Sequence, residues 1–412
     1  MNKNKLTLKN KCRGGIKMNQ TIWKLENKIK DYDWGSIENI PKLFGFKNPS
    51  QKPIAEIWMG AHPLGCSLTI NKHNQKIRLD DLIKNHPLEI LGTRTFKQFA
   101  ALPYLFKVLS ANKALSIQVH PTKINAQQGF ARENQLGIVL DDPKRNYKDP
   151  NHKPELIYAL TPFKAMRSFR PIHEILELFS KINLFSLNKE IDQLQKNPNK
   201  QQLRQFFYAL LTLPQEKKHQ EINQLLESIE PFCDEPYLTI KTLAKDYAND
   251  IGLFMPLILN IIELQPSQAM FLSAETPHAY LSGTGLEVMA NSDNVLRAGL
   301  TNKHLDIDEL LKNTQFESLT LNELLTQPIT QQNKIDYPVP VDDFKFEIIK
   351  SDNQQRVENV NSPQILFCIT GNITLKTKFD TLTLTKGESA FIAYEAQCYH
   401  YQGEGVLAKV FN

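Results

Sequence analysis

Between Ile172 and about Asp250 the chain changes texture, and that change decides what it can fold into. IHEILELFSKI, KEIDQLQKN, QQLRQFFYALLTL, EKKHQEINQLLESIE and LTIKTLAKDYA carry apolar residues three and four apart among Lys, Glu and Gln. That spacing lines one face of a helix. On either side the pattern is different. TIWKLENKIKDYDWGS, PIAEIWMGAHP and KALSIQVHP precede the block, and QAMFLSAETPHAYLSG and QILFCITGNITLKTKFDTLTLTKGESAFIAY follow it. These are short apolar runs broken by Gly, Pro and Asn, the mark of antiparallel strands. A helical block interrupting short strands predicts a mainly β chain, of sandwich or barrel type, with an all-helical insert. The expected divisions are a first β domain from residues 18–171 and 264–325, the insert over 172–263, and a second β domain over 326–412.

Charge narrows the function. The 412 residues carry a formal +5, and residues 1–17, MNKNKLTLKNKCRGGIK, hold six Lys or Arg and no acid. The rest is near neutral, so a basic surface for nucleic acid is not expected. The tail has no apolar core of the kind a signal peptide needs, and Met18 opens MNQTIWKLEN, so 1–17 is expected to be disordered or a spurious extension. The most apolar run, IGLFMPLILNII, falls short of the roughly 20 residues that cross a bilayer, and no membrane partner is expected. Cys12, Cys66, Cys233, Cys368 and Cys398 form an odd set at wide spacings without a CxxC. This points to a reducing cytoplasm rather than a disulfide framework.

One strand stands out. In LSIQVHP (Leu115–Pro121), alternation puts Gln118 and His120 on one face and Ile117 and Val119 on the other. Two polar groups facing inward from a strand cost several kcal/mol unless hydrogen-bonded or metal-bound. NHKPELIYAL supplies His152, Lys153 and Glu155 just before another apolar run, and ETPHAYLSG supplies His278 and Tyr280. Gln118, His120, Glu155 and His278 together would make a mixed N/O donor set suited to Zn²⁺ or another borderline metal. Taken singly, each histidine reads as a satisfied structural or surface residue before it reads as a ligand. No phosphate loop, dinucleotide fingerprint, nucleophile elbow or H-E-x-x-H helix occurs.

LSIQVHP, DPNHKPELIYAL, ETPHAYLSGTGLEVMANSDNVLRAGLTNKHLD, PIAEIWMGAHP and KDYDWGS, several long blocks that occur along the chain in the family's order, together resemble type I mannose-6-phosphate isomerase. The resemblance runs from about Met18 to the last strands and is weakest in the helical and C-terminal segments. It implies cupin-type jelly-roll barrels, the first of them catalytic. It also implies a zinc-dependent interconversion of mannose 6-phosphate and fructose 6-phosphate, with one Zn²⁺ on Gln118, His120, Glu155 and His278. By the same resemblance Arg297, Asp293, His152 and Lys153 are catalytic, and Ser116, Tyr280, Glu287 and Lys303 bind substrate. Where the commonest bacterial form reads LRAGLTPK, this chain has LRAGLTNK, with Asn302 before Lys303.

The residue types suit that chemistry. Moving a carbonyl between C1 and C2 through a cis-enediol needs a base and a positive centre for the developing oxyanion. Asp293 and His152 are the proton-handling candidates, with metal-ligand support the other reading for His152. Arg297, inside the apolar run VLRAGL, requires an anionic partner or substrate. Trp34 and Trp58 read as packing or as cleft walls, and Glu56 as an anchor for backbone or basic groups. A monomer acting on a small sugar phosphate is expected. The competing functions are a metal-dependent isomerase of another sugar and a noncatalytic sugar-binding cupin.

Overall fold

The long strand His278–Ala290 organises the first β unit, and a glycine lets it do so. Its first part, His278 to Ser282, pairs with Phe163–Phe169, and its second, Gly283 to Ala290, pairs with Tyr104–Ala111. The change of partner falls at Gly283, which has φ +117 and sits so close to the Pro162 carbonyl that a Cβ would lie 2.5 Å from it. The computed structural model describes residues 19–182 and 184–412; the expected extension, 1–17, lies outside them. Ten antiparallel strands make this sheet, including Glu56–Met59, Ile117–Val119, Glu155–Ala159, Ala269–Leu272 and Leu296–Gly299. Tyr104–Ala111 is buried at all eight positions.

A second sheet of eleven strands is built mainly from Lys345–Asp352, Gln364–Lys376, Ser389–Ile392 and Cys398–Phe411. It also holds strands from the other end of the chain. Within the segment expected for the first β domain, Ile22, Trp23 and Lys24 pair with Ile392, Phe391 and Ala390, and Leu68–Ile70 and Lys76–Arg78 extend the same edge. Packing explains the placement. Trp23 packs against Phe391, tilted and 6.2 Å between ring centres, in a core that both sheets share, where Phe106 also meets Phe346 and Phe367. Burying one such aromatic contributes roughly 1.5–3 kcal/mol.

The helical block begins where expected, with Ile172–Ser180, and runs through Asn188–Lys196, Lys200–Leu211, Gln215–Ser228 and Tyr237–Ala244. It ends earlier than expected. Met255–Ile258 is its last helical turn, and Leu259–Leu264 is a strand paired with Phe163–Phe169. The insert therefore leaves from one strand and returns on its neighbour, and β-branched LNIIEL, with Pro256 just before it, suits the return. Phe206, Phe207 and Phe254 of the insert pack against Ile117, Val119, Ala279 and Leu296. The helices thus cover the outer face of the strands that carry the candidate ligands. No helix among the described residues is long and apolar enough to cross a membrane.

Candidate active site

Alternation in LSIQVHP works as the sequence requires: Ile117 and Val119 are buried against the insert, while His120, 1% exposed, turns to the other face. Cross-strand pairing supplies the neighbours. Gln118 lies directly opposite His278 on one side and opposite Arg297 on the other. Glu155, first residue of its strand, is paired with Met289 and Leu272. His120, Glu155 and His278 come together, fully buried, with ligand atoms within 4.8 Å of one another.

Hydrogen bonds fix the ring tautomers. His120 Nδ1 donates to the Asn294 carbonyl at 2.7 Å, and His278 Nδ1 donates to the Thr276 carbonyl at 2.9 Å. Both Nε2 atoms therefore present lone pairs to Glu155, at 3.2 and 3.5 Å. His120 Nε2 is buried with no hydrogen-bond partner. Lone pairs aimed at carboxylate oxygens repel unless a cation lies between them. Zinc bonds of roughly 2.0–2.2 Å place ligand atoms a little over 3 Å apart, so these three donors fit Zn²⁺, and Gln118 lines the same cavity. Burial, with Lys153 nearby, pushes the His120 pKa down to about 4 and keeps the ring neutral, as a ligand must be. Burial alone would raise the Glu155 pKa, but Lys153, 2.9 Å away, works against it, and the carboxyl is held well below its usual range. Tyr280 donates its hydroxyl to Glu155 at 3.3 Å.

Lys153, Glu155, His278 and Tyr280 line a cavity of about 70 Å³ with Gln118, Leu115, Glu56, Lys107 and Glu287, room for the reacting end of a small sugar. Its floor holds a group that sequence reasoning missed. Lys107, inside the buried strand, bonds Glu287 at 2.7 Å and Glu56 at 3.4 Å, and Glu56 accepts from the Trp58 indole at 2.8 Å. Burial disfavours the Lys107 ammonium, yet Glu287 and Glu56 outweigh it and raise its pKa. Burial also raises the Glu287 carboxyl. The signal was present: a lysine at the centre of YLFKVLSA needs a buried acid. Lys107→Met strands two carboxylates and should cost about 3–5 kcal/mol. Without Lys107 the Glu287 pKa rises further. A carboxyl raised in the folded state stabilises when protonated, so the deficit should widen as pH rises. Urea unfolding of metal-free protein at pH 5 and pH 8 checks this, and an equal deficit at both would contradict it.

The remaining expected residues divide. Asp293 is half-exposed, its backbone N–H donating to Asp149 at 2.7 Å. His62, 4% exposed, places Nε2 3.4 Å from Asp293 Oδ2 while its Nδ1 accepts from the Leu64 amide. Burial lowers the His62 pKa, so the ring is neutral. His62 too was missed, although it ends the block PIAEIWMGAHP. Ser116 is half-buried next to Gln118. His152 is not brought to the cavity: its Nε2 meets Asp343 of the C-terminal unit at 2.9 Å, and both border a separate cleft with Gln98 and Lys123. Trp34 packs in the core beside Leu115 and Tyr280, and Trp58 stacks edge-on to His62.

Arg297 and Lys303 end the site on a cationic note. Burial lowers the Arg297 pKa, and the Arg297 charge, ahead of burial, lowers that of Lys303. Among the described residues no carboxylate pairs with either.

Comparison with known proteins agrees with this geometry. Residues 22–172 match the family model for the type I phosphomannose isomerase catalytic domain, 181–259 its helical insertion domain, and 333–412 the mannose-6-phosphate isomerase cupin domain. The chain is 46% identical over 389 residues to mannose-6-phosphate isomerase of Escherichia coli (strain K12), covering 94% of this chain and 99% of that protein. The Rattus norvegicus enzyme of that name is 33% identical over 411 residues, covering 91% and 94%. Among solved structures, a zinc-bound mannose 6-phosphate isomerase superposes with TM-score 0.91 at 44% identity, covering 95% of this chain and 100% of that one. A lysine-to-alanine variant of phosphomannose isomerase from Salmonella typhimurium gives 0.92, with the same identity and coverage. With matched models spanning both β units and the insert, the chain belongs to the type I phosphomannose isomerase family.

Proposed function

We propose that this chain interconverts mannose 6-phosphate and fructose 6-phosphate through a cis-enediol, with one Zn²⁺ held by Gln118, His120, Glu155 and His278. The observation that carries this reading is the buried convergence of two Nε2 lone pairs and a carboxylate beside two cations that lack acidic partners. Bound zinc supplies a Lewis acid that orients and polarises sugar oxygens. Arg297, directly across from the ligand Gln118, holds the oxygen on which charge develops as C2 loses its proton. Lys303, further out and exposed, takes the phosphate. Asp293 carries the proton from C2 to C1, with the neutral His62 N–H orienting its carboxylate. Lys153 keeps Glu155 ionised, Tyr280 and Glu287 shape the cavity wall, and Ser116 contacts substrate beside Gln118. His152, tied to Asp343, acts by joining the two β units at the edge of the site rather than by moving protons.

The free thiols Cys66, Cys233, Cys368 and Cys398 suit a cytoplasmic enzyme. The test is the rate of fructose 6-phosphate formation from mannose 6-phosphate before chelation, after chelation, and after zinc is restored, with free mannose alongside. Activity that vanishes and returns, and prefers the phosphorylated sugar, is expected. Zinc-loaded, folded protein without activity would remove this substrate from consideration.

A further inference from the structure

The segment between Arg297 and Lys303 is held in an unusual shape by a residue of the helical insert. Gly299 has φ +142 and Leu300 φ +53, the latter a left-handed conformation that a residue with a side chain adopts only at a cost. What holds it is Asp250. Its Oδ1 accepts from the Leu300 amide at 2.7 Å, and its Oδ2 accepts from the Thr301 amide at 3.0 Å. The same Oδ1 caps the short helix Ile251–Phe254 by accepting from the Gly252 amide at 2.7 Å. Capping needs one of these bonds; the other two reach a segment fifty residues away.

Space at the contact is reserved for this grip. A Cβ on Gly299 would lie 2.8 Å from Gly252 Cα and 2.9 Å from Asp250 Oδ1, and a Cβ on Gly252 would lie 2.7 Å from the Leu300 nitrogen. Arg297 precedes the gripped amides on the strand paired with Gln118. Lys303 follows them, its own amide bonded to Thr301 Oγ1 at 3.1 Å. The two cations therefore depart from opposite ends of a backbone whose conformation one carboxylate sets.

We propose that Asp250 is a positioning residue for substrate: by clamping the Leu300 and Thr301 amides it fixes where Lys303 stands relative to Arg297, and so how the site receives the phosphate. This rests on the reading of Lys303 as a phosphate contact. Asp250 touches no substrate itself, and it makes the helical insert part of the binding apparatus as well as a cover for the sheet.

The discriminating variant is Asp250→Asn. Asparagine keeps one acceptor oxygen for the Gly252 and Leu300 amides but turns an N–H toward the Thr301 N–H, so the cap survives and half of the clamp is lost. With zinc-loaded full chain, KM for mannose 6-phosphate should rise about tenfold, the equivalent of one lost hydrogen bond. Inhibition by inorganic phosphate should weaken in proportion, while kcat and bound zinc hold close to wild type. Gly252→Ala, which crowds the Leu300 amide from the other side, should shift KM and phosphate inhibition in the same direction and serves if the asparagine variant does not fold. Variants that melt earlier but keep wild-type KM and phosphate inhibition would reduce Asp250 to a helix cap and overturn the proposal. Lys303→Ala separates the two ideas: unchanged KM and phosphate inhibition in that variant would remove the phosphate reading itself, and the proposal with it.

Discussion

Replacing Arg297 by alanine should lower kcat/KM for mannose 6-phosphate by about a thousandfold, the upper end of what one preorganised oxyanion donor contributes, and leave zinc content unchanged. The expectation comes from what surrounds the guanidinium. It is half-buried, burial lowers its pKa, and its charged neighbour is another cation, Lys303. Burying a cation without a partner costs stability, and placing a second one beside it costs more. The arrangement becomes favourable when an anion arrives, and a sugar phosphate on its way to an enediolate brings both the phosphate and the developing oxyanion. Two consequences separate this from a structural role. Arg297→Ala should melt no earlier than wild type without substrate, since it removes an unpaired buried charge. Arg297→Lys should recover only part of the activity, because an ammonium keeps the charge but lacks the planar fork that grips two oxygens. Near-normal turnover in the alanine variant, measured with zinc bound, would refute the role.

What the sequence disclosed, and what it withheld, follows from the range of the interactions involved. Gln118 and His120 were legible because strand alternation is local: the residues that face the insert, Ile117 and Val119, are apolar and the two facing the cavity are not. Arg297 was legible for the same reason, as a charge in an apolar run. The pairing of Ile22–Glu26 with Ser389–Ile392 was not, because nothing within a strand states which distant strand it will meet; the aromatic match of Trp23 with Phe391 appears only once both are placed. The end of the insert was misjudged because LILNIIEL is apolar enough for either a helix or a buried strand, and its pairing with Phe163–Phe169 decides. His152 shows the limit of a motif. It sits three residues before Glu155, yet the chain is not a regular strand there, and its ring turns to Asp343 in the C-terminal unit. His62 and Lys107 were overlooked because their partners are distant in sequence: only the fold shows the acids that meet them.

Glu155 is where the metal site is most exposed to test. Its carboxylate is the one anion among the proposed zinc ligands, and it faces His120 and His278 Nε2, the Lys153 ammonium at 2.9 Å and the Tyr280 hydroxyl at 3.3 Å. Glu155→Gln keeps the shape and most hydrogen-bonding capacity but removes the charge; Glu155→Ala removes both and leaves Lys153 without its ion-pair partner. Zinc affinity in the alanine variant should fall by more than the roughly 10–100-fold that lost outer-shell partners cost, since a direct ligand is gone. Isomerase activity in zinc-limited buffer should fall to background. Binding to the folded chain alone stabilises it by RT ln(1 + [L]/Kd), so the rise in melting temperature on adding zinc should be clear in wild type, smaller in Glu155→Gln and absent in Glu155→Ala at the same zinc concentration. That readout does not depend on turnover. If Glu155→Ala bound zinc as wild type does, the lone pairs of His120 and His278 would have to converge on something other than this metal. If Glu155→Gln bound zinc fully but were inactive, the carboxylate charge would be needed for the reaction rather than for holding the ion.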